Sequence, residues 1–394
     1  MSAGTALARP WAAVVLVAAL LLAGPPVAAQ SSDSSDPPDP GAQGAVVWEP
    51  ATEAVLFDRD ARVGRPMAST TKIMTALLAL EAGTYGDEVE VSAQAAEIGR
   101  VPGGATLGLA EGATVPMRSL LAGLVLVSGN DAAVAVADHV AGGEGAFVDE
   151  MNDRADELAL DQTNFVNSSG LTDDRSHRAS PLDLARLADV AMADERFAEL
   201  AGAESLDADG LGTLHSRNEL LGTYPGATGV KTGYTALAGR SLVASAERDG
   251  RVLYAVVLGA EDSFTDAAML LDHGFEDFRR LDVADDEPVL TYRWADAEAP
   301  VVPAEPLTST VAAKADVSAR LDLHAAVERP APAGAPAGQL TLVVDGQEQV
   351  TIGVELAAAA EEAAAAEPTG QLGSAIADTM RGLGRLRPVD VGLP

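Results

Sequence analysis

The chain has no cysteine, and only three of its 26 cationic side chains are lysine. Without Cys there are no disulfides, thiolate metal sites or sulfur nucleophiles. The five histidines, at positions 139, 177, 215, 273 and 324, are scattered and form no H-E-x-x-H or similar spacing. No metal and no cofactor is therefore expected, and each His reads as an ordinary polar residue. Positive charge is scarce overall: 26 Lys and Arg stand against 59 Asp and Glu, a net charge of -33. Nucleic-acid binding needs a basic footprint and is excluded as a function class. The acidic residues are spread along the chain and read as a solubilising surface.

The scarcity of lysine makes its positions informative. Two of the three sit in Ser69-Thr70-Thr71-Lys72 and Lys231-Thr232-Gly233. Arginine stays charged in proteins, whereas a buried lysine can lose its proton and act as a base. A Lys three residues after a Ser lies on the same face of a helix and can serve a hydroxyl nucleophile where no His is at hand. For such a Lys to be neutral near pH 7 its pKa must fall about three units, which costs about 4 kcal/mol and requires burial or nearby cations. Lys231 is a candidate neighbour.

The first 29 residues read as an export signal. Arg9 precedes the apolar run from Trp11 to Leu22, and Val27-Ala28-Ala29 offers small residues for cleavage after Ala29. A retained anchor is the alternative, although the run is short for a membrane span. Residues 30–43, rich in Ser, Asp and Pro, read as a disordered linker. From Ala45 the pattern becomes a hairpin, and then a helix with Ser69 and Thr70 as cap residues and Ile73, Leu77 and Leu80 at helical spacing. Residues 117–127 form an apolar helix too short to span a membrane. It is separated from a second apolar helix, Ala132 to Val140, by the polar turn Ser128-Gly129-Asn130. Buried hydroxyl and amide groups need partners, so this turn is a candidate site. Three strands follow between Gly229 and Leu258, and residues 44–283 are expected to form one domain. Residues 284–356 read as a small β-rich domain, and 357–394 as an Ala/Glu linker with a tail. In that tail Leu372, Ile376, Met380 and Leu383 make an apolar stripe beside Arg381, Arg385 and Arg387, a pattern suited to contact with a membrane surface across 372–387.

Taken together, S-x-x-K at 69–72, S-x-N at 128–130 and K-T-G at 231–233 resemble the penicillin-recognising serine enzymes. The surrounding residues, Pro66-Met67-Ala68, Asp131-Ala132, Tyr234-Thr235, Thr163-Asn164-Phe165, Gly170-Leu171 and Leu242-Val243-Ala244-Ser245-Ala246, are similar to low-molecular-mass penicillin-binding proteins. These are serine-type D-alanyl-D-alanine carboxypeptidases of peptidase family S11. The resemblance covers about 44 to 280. It implies an α/β fold of the serine β-lactamase/transpeptidase type, an antiparallel sheet flanked by helices, with a small C-terminal all-β domain. It implies an acyl-enzyme at Ser69 with Lys72 as base, and Ser128 and Asn130 relaying a proton and orienting substrate. Lys231, Thr232, Gly233 and Tyr234 would bind substrate: Lys231 and Thr232 hold its terminal carboxylate, and the backbone N–H groups of Ser69 and Tyr234 form the oxyanion hole. The implied substrate is a peptidoglycan stem peptide ending in D-Ala-D-Ala, with β-lactams as inhibitors. The implied location is extracytoplasmic, at the outer face of the cytoplasmic membrane. One departure stands out. The carboxylate-gripping Arg that many relatives carry after the last strand falls near Ser263 here, leaving Arg217 or Arg240 to take part of its role. The rival functions are a β-lactamase, a DD-endopeptidase and a non-catalytic wall-binding protein. No Glu between 150 and 180 sits in the E-x-x-x-N pattern of the first, and the last would be expected to lose Ser69 or Lys72.

Overall fold

The computed structural model describes residues 37–294, 297–324, 327–360 and 387–388. The expected signal over 1–29 and the apolar stripe of the tail lie outside the described residues.

Five antiparallel strands form the central sheet, in the order Ala54–Arg59, Gly44–Glu49, Arg251–Ala260, Gly239–Arg248 and Ala227–Thr235. Side chains alternate between its faces. On the Gly44–Glu49 strand, Ala45 and Val47 meet Leu270 and Leu271 of the helix Ser263–Glu276, while Val46 and Trp48 face the opposite core with Ile73 and Leu77. Because both faces are covered, Arg251–Ala260 can be apolar along nearly its whole length. Each Leu or Val so buried contributes roughly 1.5–3 kcal/mol. The second core is helical, drawn chiefly from Lys72–Glu81, Met117–Ala122, Asn130–Ala141 and Pro181–Met192.

Three sequence expectations change. The helix expected to start at Ser69 opens with a 3-10 turn, Ala68–Thr71, and its α-helical part starts at Lys72. Ser69 and Thr70 do not cap it. The hydroxyls of Thr70 and Thr71 instead donate back to the carbonyls of Met67 and Ala68, at 2.8 and 2.7 Å, the local competition that hydroxyl side chains offer a helix. The segment 30–43, expected to be disordered, is fastened at its end: Ala42 is buried, and the Gly41 N–H donates to Asp266 Oδ1 at 3.0 Å. The boundary expected at 283 moves earlier, because the strand Phe278–Val283 pairs along its length with Leu307–Ala312.

The C-terminal part thus starts at Phe278. Its larger sheet joins Leu290–Arg293, Glu298–Pro303, Gln347–Leu356, Pro336–Val344 and Val317–Leu323, with Arg387–Pro388 pairing in parallel on the last. Leu340, Leu342, Val354 and Leu356 lie in its core. At the junction with the first part, the fully buried Glu49 accepts two hydrogen bonds from Arg251, at 2.8 and 3.3 Å, and a third from the Thr310 hydroxyl. Arg251 also donates to the carbonyls of Gly274 and Phe278, at 3.1 and 2.9 Å. One ion pair therefore links the central sheet, its covering helix and the first strands of the β domain. Among the described residues no helix is long and apolar enough to cross a membrane.

Candidate active site

Ser69 sits in the 3-10 turn, partly exposed, with its Oγ 3.0 Å from Lys72 Nζ. One turn of helix brings the two together, and burial of the helix takes Lys72 wholly out of water. Its ammonium nitrogen meets two more acceptors, Asn130 Oδ1 at 2.8 Å and the Ser169 carbonyl at 2.5 Å. All three partners are neutral. Burial pushes the Lys72 pKa well below the ordinary lysine value. Lys231 pushes it the same way, Asp131 opposes, and Arg217 adds a smaller push downward.

The Ser128-Gly129-Asn130 turn lies between the helical run ending at Val127 and the helix Asn130–Ala141. Ser128 adopts the left-handed conformation, φ 69°, and its buried Oγ has no hydrogen-bond partner among the described residues. A buried hydroxyl without a partner is costly and points to an incoming group. The third wall is the strand Ala227–Thr235, on which Lys231 is buried and Thr232, Gly233 and Tyr234 grade outward to full exposure. Glycine suits position 233, because a Cβ there would stand 3.1 Å from both the Met67 carbonyl and the Ser69 nitrogen, closer than most Cβ contacts. The strand can therefore approach the nucleophile's own turn. Burial, and then Arg217, lower the Lys231 pKa to about 7.

The segment 167–171 closes the site from behind. Gly170, at φ +78°, packs so tightly that a Cβ would lie 2.0 Å from the Ala68 carbonyl oxygen. Asn167 Oδ1 accepts from the N–H groups of Ser169 and Gly170, at 3.2 and 2.7 Å. Beyond it, His177 Nδ1 accepts the Val166 N–H at 3.0 Å, so Nε2 carries the proton and donates to Thr71 Oγ1 at 2.7 Å. Thr71 in turn donates to the Ala68 carbonyl. Ala68 itself has φ +50°, an uncommon conformation for a side-chain-bearing residue. The residue before the nucleophile is thus held by a chain of three hydrogen bonds.

The structure brings Ser69, Lys72 and Asn130 into direct contact, and Lys231 and Gly233 against the same turn. Ser263 opens a helix capped by Asp262, so no arginine stands there. Arg217 acts electrostatically on both lysines, and Arg240 lies opposite Tyr234 on the neighbouring strand. Sequence reasoning missed Ser169, which contributes a backbone carbonyl, and His177, whose place depends on a contact 106 residues away. It read Asp131 only as part of a family pattern. Among the described residues no group of three or more His, Asp or Glu is placed to hold a metal ion.

The profile of the D-alanyl-D-alanine carboxypeptidase family, peptidase S11, matches residues 31–262. The chain belongs to this family. The S11 chain is 35% identical over 249 residues to the D-alanyl-D-alanine carboxypeptidase DacF of Bacillus subtilis, covering 60% of this chain but only 63% of that protein. It is 36% identical over 250 residues to a D-alanyl-D-alanine carboxypeptidase of Mycobacterium tuberculosis, of which it covers 84%. The structure of penicillin binding protein 5 from Haemophilus influenzae superposes with a TM-score of 0.68 at 25% identity, over 84% of this chain and all of that one. The agreement thus takes in the C-terminal β domain as well. Penicillin-binding protein D2 from Listeria monocytogenes in its ampicillin-bound form matches with a TM-score of 0.56 at 28% identity, over 61% of this S11 chain.

Proposed function

We propose that this protein removes the terminal D-alanine from peptidoglycan stem peptides through an acyl-enzyme at Ser69, and that β-lactams acylate the same residue. The observation that carries the reading is the Ser69 Oγ held 3.0 Å from the amine of a fully buried lysine. Neutral Lys72 takes the serine proton as Oγ attacks the carbonyl of the penultimate D-alanine. Ser128 Oγ, without a hydrogen-bond partner among the described residues, passes a proton to the departing amine. Lys231, Thr232 and Arg217 receive the terminal carboxylate, whose arrival favours the charged form of Lys231. The backbone N–H groups of Ser69 and Tyr234 hold the oxyanion. Water then releases the shortened peptide. The ampicillin-bound state of the Listeria protein supports β-lactams as inhibitors.

Fluorescent penicillin should label the protein once, with the mass adduct on the peptide containing Ser69. Release of D-alanine from a soluble peptide ending in D-Ala-D-Ala should accompany it. An adduct elsewhere, or one persisting in Ser69→Ala, overturns the assignment. Cleavage of cross-linked dimers in preference to the pentapeptide would make it an endopeptidase.

The protein acts outside the cytoplasm, after export through residues 1–29, and the apolar stripe Leu372, Ile376, Met380 and Leu383 of its tail rests on the outer face of the cytoplasmic membrane, ahead of Arg387, which pairs with the β domain. A chain ending near Ala366 should keep its activity on soluble peptides yet lose sedimentation with anionic vesicles. Equal sedimentation of both forms would rule the tail out as the anchor.

A further inference from the structure

Asp131 follows the Ser128–Asn130 turn and has no part in the route above. It is fully buried, and every donor placed on it is neutral. Thr106 Oγ1 donates to its Oδ2 at 2.7 Å. The N–H groups of Leu107, Gly108 and Leu109 follow at 3.0, 2.9 and 3.1 Å, and that of Ala132 reaches Oδ1 at 3.0 Å. A buried carboxylate with no cation bonded to it is expensive, and only several charge-assisted hydrogen bonds can offset the cost. Here those bonds join two separate pieces of chain, the helix Asn130–Ala141 and the segment Thr106–Leu109. The Asn130 N–H closes the same joint by donating to the Ala105 carbonyl at 2.8 Å. The space is made by glycines: a Cβ on Gly129 would stand 3.0 Å from Asp131 Oδ1, and one on Gly99 3.1 Å from Oδ2. Gly104, earlier in the segment, comes equally near Asn130, since a Cβ there would lie 3.0 Å from Asn130 Nδ2. The segment 99–109 is therefore a wall of the cleft, and Asp131 is what fastens it.

The position of this charge has a second effect. Lys72 is faced by Lys231 from the strand and by Arg217 from the loop before it. Asp131 is the negative charge that opposes them, next in the chain to Asn130, whose Oδ1 accepts from Lys72 Nζ at 2.8 Å.

We propose that Asp131 is a positioning residue of this enzyme: its carboxylate clamps the cleft wall Thr106–Leu109 against the helix that presents Asn130 to Lys72, and its charge offsets Lys231 and Arg217 beside that lysine. The second half rests on Lys72 acting as the base for Ser69. The first half does not.

The test uses the full mature protein and the rate of acylation by fluorescent penicillin as a function of pH. Acylation rises with pH as Lys72 loses its proton. Asp131→Asn removes the negative charge, so Lys72 releases its proton at lower pH and the acid limb should move down by about half to one unit. The plateau should fall at least about tenfold, because Asn130 and the wall are no longer held in place. A loss of structure alone lowers the plateau without moving the limb. Thr106→Val loosens the clamp but keeps the charge, so its plateau should drop while its limb stays put. The Gly108 amide supplies a readout independent of chemistry, since the residue is exposed and its N–H is protected only by Thr106 and Asp131. In the native protein it should exchange with deuterium far more slowly than an open loop amide, and Thr106→Val should speed it. Free exchange of Gly108 in the native protein overturns the clamp, even if Asp131→Asn does not fold. An acid limb that stays fixed or rises in Asp131→Asn overturns the charge role.

Discussion

The two parts of the molecule are stabilised in different ways. Of the 22 buried polar or charged residues among the described ones, only Thr341 lies beyond Phe278. The β domain is packed like an ordinary sheet protein, with Leu340, Leu342, Val354 and Leu356 in an apolar interior. The first part buries two lysines, a histidine, several carboxylates and a set of hydroxyls, most of them around Ser69. Each such group destabilises the fold unless it finds a partner. The catalytic part therefore carries groups whose reason is chemical, while the β domain carries almost none.

The sharpest way to break this contrast is at Lys72. Lys72→Arg keeps charge and hydrogen bonding but cannot serve as a base, so acylation should fall about 10²- to 10⁴-fold, nearly as far as in Lys72→Ala. If Lys72→Arg retained most of the acylation rate, the buried amine would have no chemical reason. The junction comes next. Glu49→Ala leaves the Arg251 guanidinium without its carboxylate and should cost about 3–5 kcal/mol of unfolding free energy in denaturant titrations. The acylation rate of the folded fraction should be unchanged, because neither residue touches the site.

His177 tests whether the polar groups of the first part set its pH response. Burial holds its pKa near 4, below the ordinary 6.5, despite the opposing pull of Asp174. Its neutral form belongs to the folded state, so its stabilising effect is complete above about 6.5 and is lost as pH falls toward 4. Between those limits the unfolded chain binds the extra proton, and the loss should reach about 3 kcal/mol. Denaturation midpoints at pH 7 and pH 4 should diverge more in the native protein than in His177→Gln. Equal divergence would remove His177 from the account.

Smaller effects follow at the other two sites. Lys231 loses its proton near pH 7, so carboxylate capture by the free enzyme should weaken above that, approaching about tenfold per pH unit in kcat/KM. Lys231→Arg should be milder than Lys72→Arg and should abolish this basic limb. In the β domain, Thr341 Oγ1 pairs with Thr351 Oγ1 at 2.9 Å across neighbouring strands. Thr341→Val should change stability by no more than about 1 kcal/mol, with no effect on acylation. A large loss there would mean that the β domain, too, depends on buried polar contacts.

Much of this was legible in the sequence because it is local. S-x-x-K needs only one helical turn, and the rarity of lysine drew attention to it. The strands between Gly229 and Leu258 could be read from alternation and turns. The strand Phe278–Val283 pairs with Leu307–Ala312, which lies well downstream, and such pairing leaves no mark on either segment alone. The roles of Asp131 and His177 were hidden for a similar reason. A buried carboxylate bound by amides has the same letter as a surface one, and all its donors but Ala132 lie 22 to 25 residues earlier in the chain.

Ser169 and Gly170 have opposite consequences for how the enzyme can evolve. Ser169 reaches Lys72 through its main-chain oxygen, while its buried Oγ accepts the Leu171 N–H at 3.2 Å, so small side chains that fit the space can leave the lysine contact intact. Gly170 can accept no side chain at all. In a saturation library selected for penicillin labelling, two adjacent codons should therefore differ, one open to a few small residues and one closed. The more open codon is the one whose residue touches the buried Lys72.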